Sequence, residues 1–359
     1  MLIPKSRLPI RDILAFGFLP NSIKKFMYRL KGYKLGKKVS LGFGSVICGE
    51  EVCIGDYTKI GFFTIIRGKK IKIGSHVNIG ATTILDTPYL EIGDGSKINE
   101  QVFIGGLQFP DSRFVLGKNC QIMQMTFINP AKSVVIGDDT GIGGHNLIFG
   151  HTSWLSRFEG YPVEFAPIEI GESVSLAWGV FVLPGTKIGD GAVIGPNSLV
   201  NRTIPPQSLA AGYPARVISK SPDFPKEVSE GEKVDILSNI VDEMIGYFSG
   251  SGLECTEHRD YFEIIQARKS LLGKKKKRWS LGIAYEAVLE AESLSGGREL
   301  SVFVSLRTIP KEVRSRLNEG RVMWLDIEKK ERPLFWNDLG DEVALFLRRY
   351  GVRFYRVKE

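Results

Sequence analysis

From Leu35 onward, large aliphatic residues return every nineteen positions on three tracks at once. Leu35, Ile54, Ile73 and Ile92 form the first, each followed by glycine; Leu41, Ile60, Ile79 and Ile98 form the second; Ile47, Ile66, Leu85 and Ile104 the third. Within a turn the tracks lie six residues apart, and a small or β-branched residue often follows four positions later, as at Thr58, Thr64, Thr83 and Ser96. A period near twenty built from hexapeptides predicts a parallel β-helix, with three short strands and three corners per coil. The aliphatic residue fills the prism interior, and the glycine beside it relieves crowding at the turn. The beat continues through Leu116, Ile122 and Ile128, then Ile136, Ile142 and Ile148, and resumes from Ile170 to Val200. About eight coils, stacked at roughly 4.8 Å, predict a column of roughly 40 Å.

The beat slips twice. GLQFPDSRF, after Ile104, suits an exposed corner or an outward loop. From Ile148 to Ile170 the spacing is twenty-two where eighteen would keep the rhythm, and the surplus falls on HTSWLSRFEGYPVEFAP. That aromatic and charged stretch does not fit inside a prism, and loops extruded from rigid solenoids commonly carry binding sites.

Past the repeat, the pattern divides the chain into an N-terminal cap (1–34), the prism (35–218), a polar, proline-bearing linker (219–234) and a small α/β domain (235–359). In the last, VDILSNIVDEMIGYFSG, IPKEVRSRLNEG and WNDLGDEVALFLRRYG have helical spacing. YFEIIQAR, WSLGIAYEAVL, ELSVFVSL, VMWLDIE and VRFYRV predict strands, and LGKKKKRW a basic turn between two of them rather than a nucleic-acid patch.

Charge changes the picture at one end only. Residues 1–40 carry ten Lys or Arg against the single acid Asp12, a surplus larger than the net +8 of the whole chain. Hydrophobic residues from Ile10 to Leu30 are interleaved with these bases. Such a segment predicts a cap on the open first coil, or peripheral contact of residues 1–40 with an anionic membrane surface, and the two are compatible. Cys48, Cys53, Cys120 and Cys255 show no CxxC pairing and read as reduced thiols. With neither a secretory signal nor a bilayer-spanning stretch, the expected location is cytoplasmic, or the inner face of the membrane.

Of the four histidines (His76, His145, His151, His258), His151 stands out. Counted from Ile148 it occupies a corner, where side chains face outward, immediately before the extruded loop. A histidine shielded by aromatic residues there suits general-base work near neutral pH. His145 and His151 share a slot in adjacent hexapeptides and therefore sit on successive corners, at most roughly 20 Å apart, which argues against a shared metal ion.

Residues 35–220 resemble the left-handed β-helix hexapeptide acyltransferases, in the branch of galactoside, maltose and nodulation acetyltransferases. VVIGDDTGIGGHNLIFGHTSW matches the family's stretch ending in a glycine-histidine pair, and the ending PPQSLAAGYPAR matches its closing coil. The left hand of the prism follows from this resemblance alone. So does a mechanism in which His151 deprotonates an acceptor hydroxyl that attacks acetyl-CoA directly. The resemblance implies a homotrimer with acetyl-CoA in a groove between subunits. Ala177 and Trp178 would border its thiol arm, Pro196 and Asn201 the groove, and Arg202 and Arg216 its phosphates. Gln124, Asn129 and Trp154 are the candidates for contact with a sugar or glycan acceptor. The family's tryptophan is replaced here by Ser175, with Trp178 three residues on. The expected activity is O-acetylation of a saccharide in surface-polysaccharide biosynthesis, without metal or nucleic acid. Its alternatives are N-acylation of an amino sugar, or a non-catalytic trimeric scaffold presenting the C-terminal domain.

Overall fold

The computed structural model describes residues 9–270, 273–286 and 300–358. Two compact units divide the chain, Met1–Glu227 and Val228–Glu359.

In the first unit, three parallel sheets wrap one column of aliphatic side chains. Each sheet takes one strand from each of eight successive coils. The first runs from Lys34–Leu35 to Lys187–Ile188, the second from Ser40–Leu41 to Val193–Ile194, the third from Val46–Cys48 to Leu199–Val200. Each track stacks in register, with Leu35 on Ile54, Ile60 on Ile79 and Ile104 on Ile128. Apart from Leu35 at the open end, which is partly buried, these residues are fully or almost fully buried, so the interior is a continuous aliphatic rod.

Where the residue four positions after the aliphatic carries a hydroxyl, it is more than a small filler. Thr58 donates to the Gly74 carbonyl at 2.7 Å and accepts from the Val77 N–H at 3.2 Å, joining its coil to the next. Thr140 does the same with Gly171 and Val174, and Ser96 with Gly117 and Cys120. The corner hydroxyls thus satisfy backbone groups that the short strands leave without partners.

Both slips are insertions pushed out of an unbroken column. Ile92 pairs directly with Leu116, so the surplus around 105–111 leaves the register intact. The second slip is larger than its spacing suggested. Ile136 pairs with Ile170, which makes Ile170 the next track position after Ile148, at the start of the following coil. Other uninterrupted coils cover that step in six to eight residues, as from Val182 to Ile188. Eighteen residues make a full turn, whereas this step is a third of one, so most of the twenty-two residues are insertion.

The N-terminal segment closes the open end of the prism. The helix Asn21–Leu30 lies on the first coil, which has no preceding coil to pair with. Side chains replace the missing strands: Asn21 Oδ1 accepts from the Leu41 N–H, and the hydroxyls of Tyr28 and Tyr33 accept from the Ile47 and Gly49 N–H groups. Lys24 is completely buried, and its Nζ donates to the carbonyls of Gly17, Gly42 and Ser45 at 3.0, 2.8 and 2.9 Å. Burial pushes its pKa down to about 8, so the group is still an ammonium at neutral pH. Residues 1–8 of the anticipated cap lie outside the described residues.

At the far end, Ser208–Gly212 adds to the second sheet and Ala215–Lys220 pairs with it antiparallel. The segment read as a linker is therefore shorter. Its first two residues finish that strand, and its end lies in the helix Glu230–Gly250, which starts at a reciprocal Ser229–Glu232 capping box.

Among the described residues, the second unit is a seven-stranded mixed sheet with the helices Glu230–Gly250, Lys311–Glu319 and Asp338–Leu347. Its core includes Val241, Phe248, Ile264, Leu281, Val304 and Leu325. Glu254–Glu257 and Glu331–Pro333 are strands without apolar alternation, which is why the pattern did not predict them. The lysine run is not a turn. It lies within the strand Gly273–Ala284, paired antiparallel with Phe262–Ser270. Lys276 pairs with Glu254 and Lys277 with Asp338 at its exposed ends. Leu272 of that motif, residues 287–289 of WSLGIAYEAVL and Glu299 lie outside the described residues.

Candidate active site

His151 leaves the corner that its position in the hexapeptide assigns it. His151–Thr152 forms a short strand, antiparallel to Glu164–Phe165, so the extruded loop is a β-hairpin standing off the prism. The pairing with Phe165 draws His151 into the hairpin instead of letting the chain turn at the corner. Gly150, at the foot, is where the departing and returning strands meet the coil before. Its N–H donates to the Asn129 carbonyl at 2.9 Å and its carbonyl accepts from Ala166 at 3.2 Å. A Cβ at Gly150 would sit only 3.1 Å from the Asn129 oxygen.

The imidazole of His151 is held by rings. Phe165 stacks on it at 6.0 Å and 7°, and Phe149 lies 6.0 Å away at 41°. Phe165 is braced edge-on by Phe109 at 5.1 Å, and the Lys132 ammonium sits 4.3 Å over Phe109. The Nδ1 atom is shut off from solvent with no hydrogen-bond partner among the described residues, leaving Nε2 as the nitrogen toward solvent. Burial lowers the pKa of His151 below the ordinary imidazole value, which keeps the ring neutral and able to accept a proton near pH 7. Phe109, Phe149 and Phe165 were not singled out from the sequence, although two of them bracket the hairpin and Phe109 lies in the first slip.

The remaining candidates divide between two edges of the prism. On the edge between the second and third sheets, the register stacks Gln124, Gly144, Trp178 and Pro196 in one file, with Ala177 one residue earlier. Trp178 is partly exposed and lies flat on Gly144, where a Cβ would come within 2.4 Å of its ring; the His145 ring is 5.9 Å away. Gln124 Oε1 is 3.4 Å from Asn99 Nδ2.

The edge between the third and first sheets carries His151, Asn129, Asn201 and Arg202, following the registers of Ile128 with Ile148 and of Val182 with Val200. Asn129 is buried, and its Oδ1 has no partner among the described residues. Trp154 stands at the hairpin tip, 95% exposed, beside an equally exposed Phe158. It is not part of the aromatic clamp. Arg216 lies elsewhere, on the terminal hairpin opposite Ala211. Arg202 and Arg216 are exposed, and neither meets a carboxylate among the described residues.

One strand of the third sheet, as Leu147–Phe149 or Phe181–Val182, separates the two edges. His151 and the Trp178 file therefore stand at different corners of one prism. Among the described residues, no group of three or more His, Cys, Asp or Glu side chains is placed to hold a metal ion, and no helix is long and apolar enough to cross a membrane.

No family model matches the chain. It is 37% identical over 113 residues to an Escherichia coli protein provisionally named a lipopolysaccharide biosynthesis O-acetyltransferase, a match covering 28% of this chain and 58% of that one. It is 36% identical over 111 residues to a Schizosaccharomyces pombe protein provisionally named an acetyltransferase, covering 30% and 50% respectively. The chain thus spans about half the length of the curated relatives it matches. Among solved structures, galactoside acetyltransferase in complex with coenzyme A is 25% identical, over 38% of this chain and 67% of that one, with a TM-score of 0.29.

Proposed function

Taking the prism for the left-handed parallel β-helix of the hexapeptide-repeat acetyltransferases, we propose that the chain is an acetyl-CoA-dependent O-acetyltransferase. Its acceptor is a saccharide hydroxyl in surface-polysaccharide biosynthesis. The observation that carries the reading is His151: a neutral imidazole clamped by two phenylalanines, on a hairpin that interrupts an otherwise regular column. A prism built only for support has no use for such a group. The likeness to a protein named for lipopolysaccharide O-acetylation supports the acceptor class.

In the proposed reaction, Nε2 of His151 takes the proton of the acceptor hydroxyl as its oxygen attacks the thioester carbonyl. The tetrahedral intermediate collapses, the C–S bond breaks, and the imidazolium returns the proton to the departing thiolate. The acetyl group passes to the sugar oxygen with no acyl-enzyme. Phe149 and Phe165 fix the ring's plane, a role that a hydrogen-bonding carboxylate fills in many other bases.

The division of the candidates between two edges supports assembly as a trimer. In a ring of three prisms, the Trp178 edge of one subunit faces the His151 edge of the next, closing the distance that one chain leaves open. Ala177, Trp178 and Pro196 then receive the pantetheine arm, and Arg202 and Arg216 supply guanidinium groups for the phosphates.

A thiol-release assay with acetyl-CoA and a panel of saccharides tests the proposal. Free thiol is expected only when a hydroxylated sugar is present, in step with the acetylated product. Release confined to amino sugars would make the enzyme an N-acyltransferase, and no release with any acceptor would leave the prism a scaffold.

A further inference from the structure

The helix Asn21–Leu30 is inside out. Its apolar residues Ile23, Phe26, Met27 and Leu30 fall at i, i+3, i+4 and i+7, which gathers them into one stripe. That stripe faces solvent, with Phe26 60% and Leu30 68% exposed, while the face packed on the prism carries the buried Lys24 and Tyr28. The apolar surface continues upstream in Ile10 and Leu14, both largely exposed, and in Phe18, which meets Phe43 at 5.4 Å. Phe43 in turn meets Phe63 at 5.9 Å, and both remain half exposed. Large exposed apolar side chains clustered on one cap mark a docking surface rather than ordinary surface variation.

Charge identifies what docks there. Arg11 precedes the stripe in sequence, Arg29 falls within its span and Lys34, Lys37 and Lys38 follow it, all five exposed, and the only acid of residues 1–40, Asp12, is taken up by Lys31 at 3.1 Å. A short helix with an apolar face and a basic rim lies in the plane of a bilayer interface, its apolar side among the acyl chains and its cations over anionic headgroups. We infer that the N-terminal cap docks the protein peripherally on an anionic lipid bilayer. The cap thus has two faces with separate tasks. Lys24, Tyr28 and Asn21 seal the prism, and Ile23, Phe26, Met27 and Leu30 enter the membrane. Docking does not depend on the acetyl-transfer reading, since none of these residues belongs to the proposed site.

The test is co-sedimentation of the full chain with vesicles of phosphatidylglycerol and phosphatidylcholine, against vesicles of phosphatidylcholine alone. Binding is expected to the anionic vesicles, to weaken as salt rises, and to fall at least about tenfold in the double variant Phe26→Ser, Leu30→Ser. Lys34→Gln and Lys37→Gln are each expected to weaken it by about fivefold. Circular dichroism checks that the variants keep the fold, as expected for exposed side chains. Three results would overturn the inference. They are no binding to anionic vesicles, equal binding by the double variant, or a fall in the variant's molecular mass showing that the stripe joins copies of the chain.

Discussion

Replacing His151 with alanine is expected to lower turnover of acetyl-CoA with a saccharide acceptor by about 10²–10⁴-fold, the usual contribution of a positioned general base. Affinity for CoA, measured by calorimetry, is expected to stay within about twofold, because the proposed contacts to CoA come from Ala177, Trp178, Pro196, Arg202 and Arg216, while His151 meets the acceptor hydroxyl. The fold should survive. His151 sits on an extruded hairpin and makes no hydrogen bond through its buried Nδ1 among the described residues, so its loss leaves none of their backbone groups newly unpaired. A separate loss of turnover in Phe165→Ala, with His151 intact, would show that the ring clamp positions the base; that variant removes the stacked partner at 6.0 Å. If His151→Ala turned over normally, the hairpin would have to serve some other purpose and the mechanism proposed above would fall.

Lys24→Met is the substitution expected to do most damage to the structure. It keeps the length and apolar body of the side chain and removes only the ammonium, so the carbonyls of Gly17, Gly42 and Ser45 lose a shared donor in a fully buried place. The Gly17 carbonyl keeps the Gly44 N–H and the Gly42 carbonyl keeps the Ser45 hydroxyl, so among the described residues the acceptor left unpaired is the Ser45 carbonyl. A buried acceptor without a partner costs about 1–3 kcal/mol where no water can enter, and about 2 kcal/mol corresponds to opening of the cap about 30-fold more often. The measurement is hydrogen–deuterium exchange of peptides covering residues 13–48. Exchange there should accelerate, while peptides from the middle of the prism keep their protection, because a solenoid transmits stability mainly between neighbouring coils. Equal acceleration throughout the prism would show that the cap holds the whole column together rather than its first coil.

The column was legible because its physics is local and repetitive. Each aliphatic residue meets its equivalent one coil away, so a fixed spacing in sequence becomes a fixed stacking in space, as with Ile54, Ile73 and Ile92. The same stacking, of Leu176 on Ile194, sets Trp178 and Pro196 on one edge. Spacing failed where the chain departs from the repeat. The hexapeptide count puts His151 at a corner, but its neighbour in space is Phe165, fourteen residues on, and an antiparallel pairing across an irregular loop leaves no periodic trace. The role of Lys24 was hidden for a related reason. Among ten basic residues in forty it looks like another solvated charge, and only the open edge of the first coil, with carbonyls facing no strand, makes burying it favourable. The exposed stripe beside it was visible as amphipathicity, yet spacing alone does not say which face of a helix meets the protein. In the second unit, alternation found the hydrophobic strands and missed Glu254–Glu257 and Glu331–Pro333, whose pairing rests on backbone bonds to neighbours.

The central claim is that a neutral His151 accepts the proton of the acceptor, and the pH dependence of kcat/KM tests it most directly. Burial lowers the His151 pKa, so the base stays unprotonated further into acid than a free imidazole does. Activity is therefore expected to hold as pH falls past the ordinary imidazole value of about 6.5 and to be lost only below it. The residual activity of His151→Ala should lack that acid limb. A limb at or above about 6.5 in the native protein, or the same limb in His151→Ala, would contradict the assignment of His151 as the base.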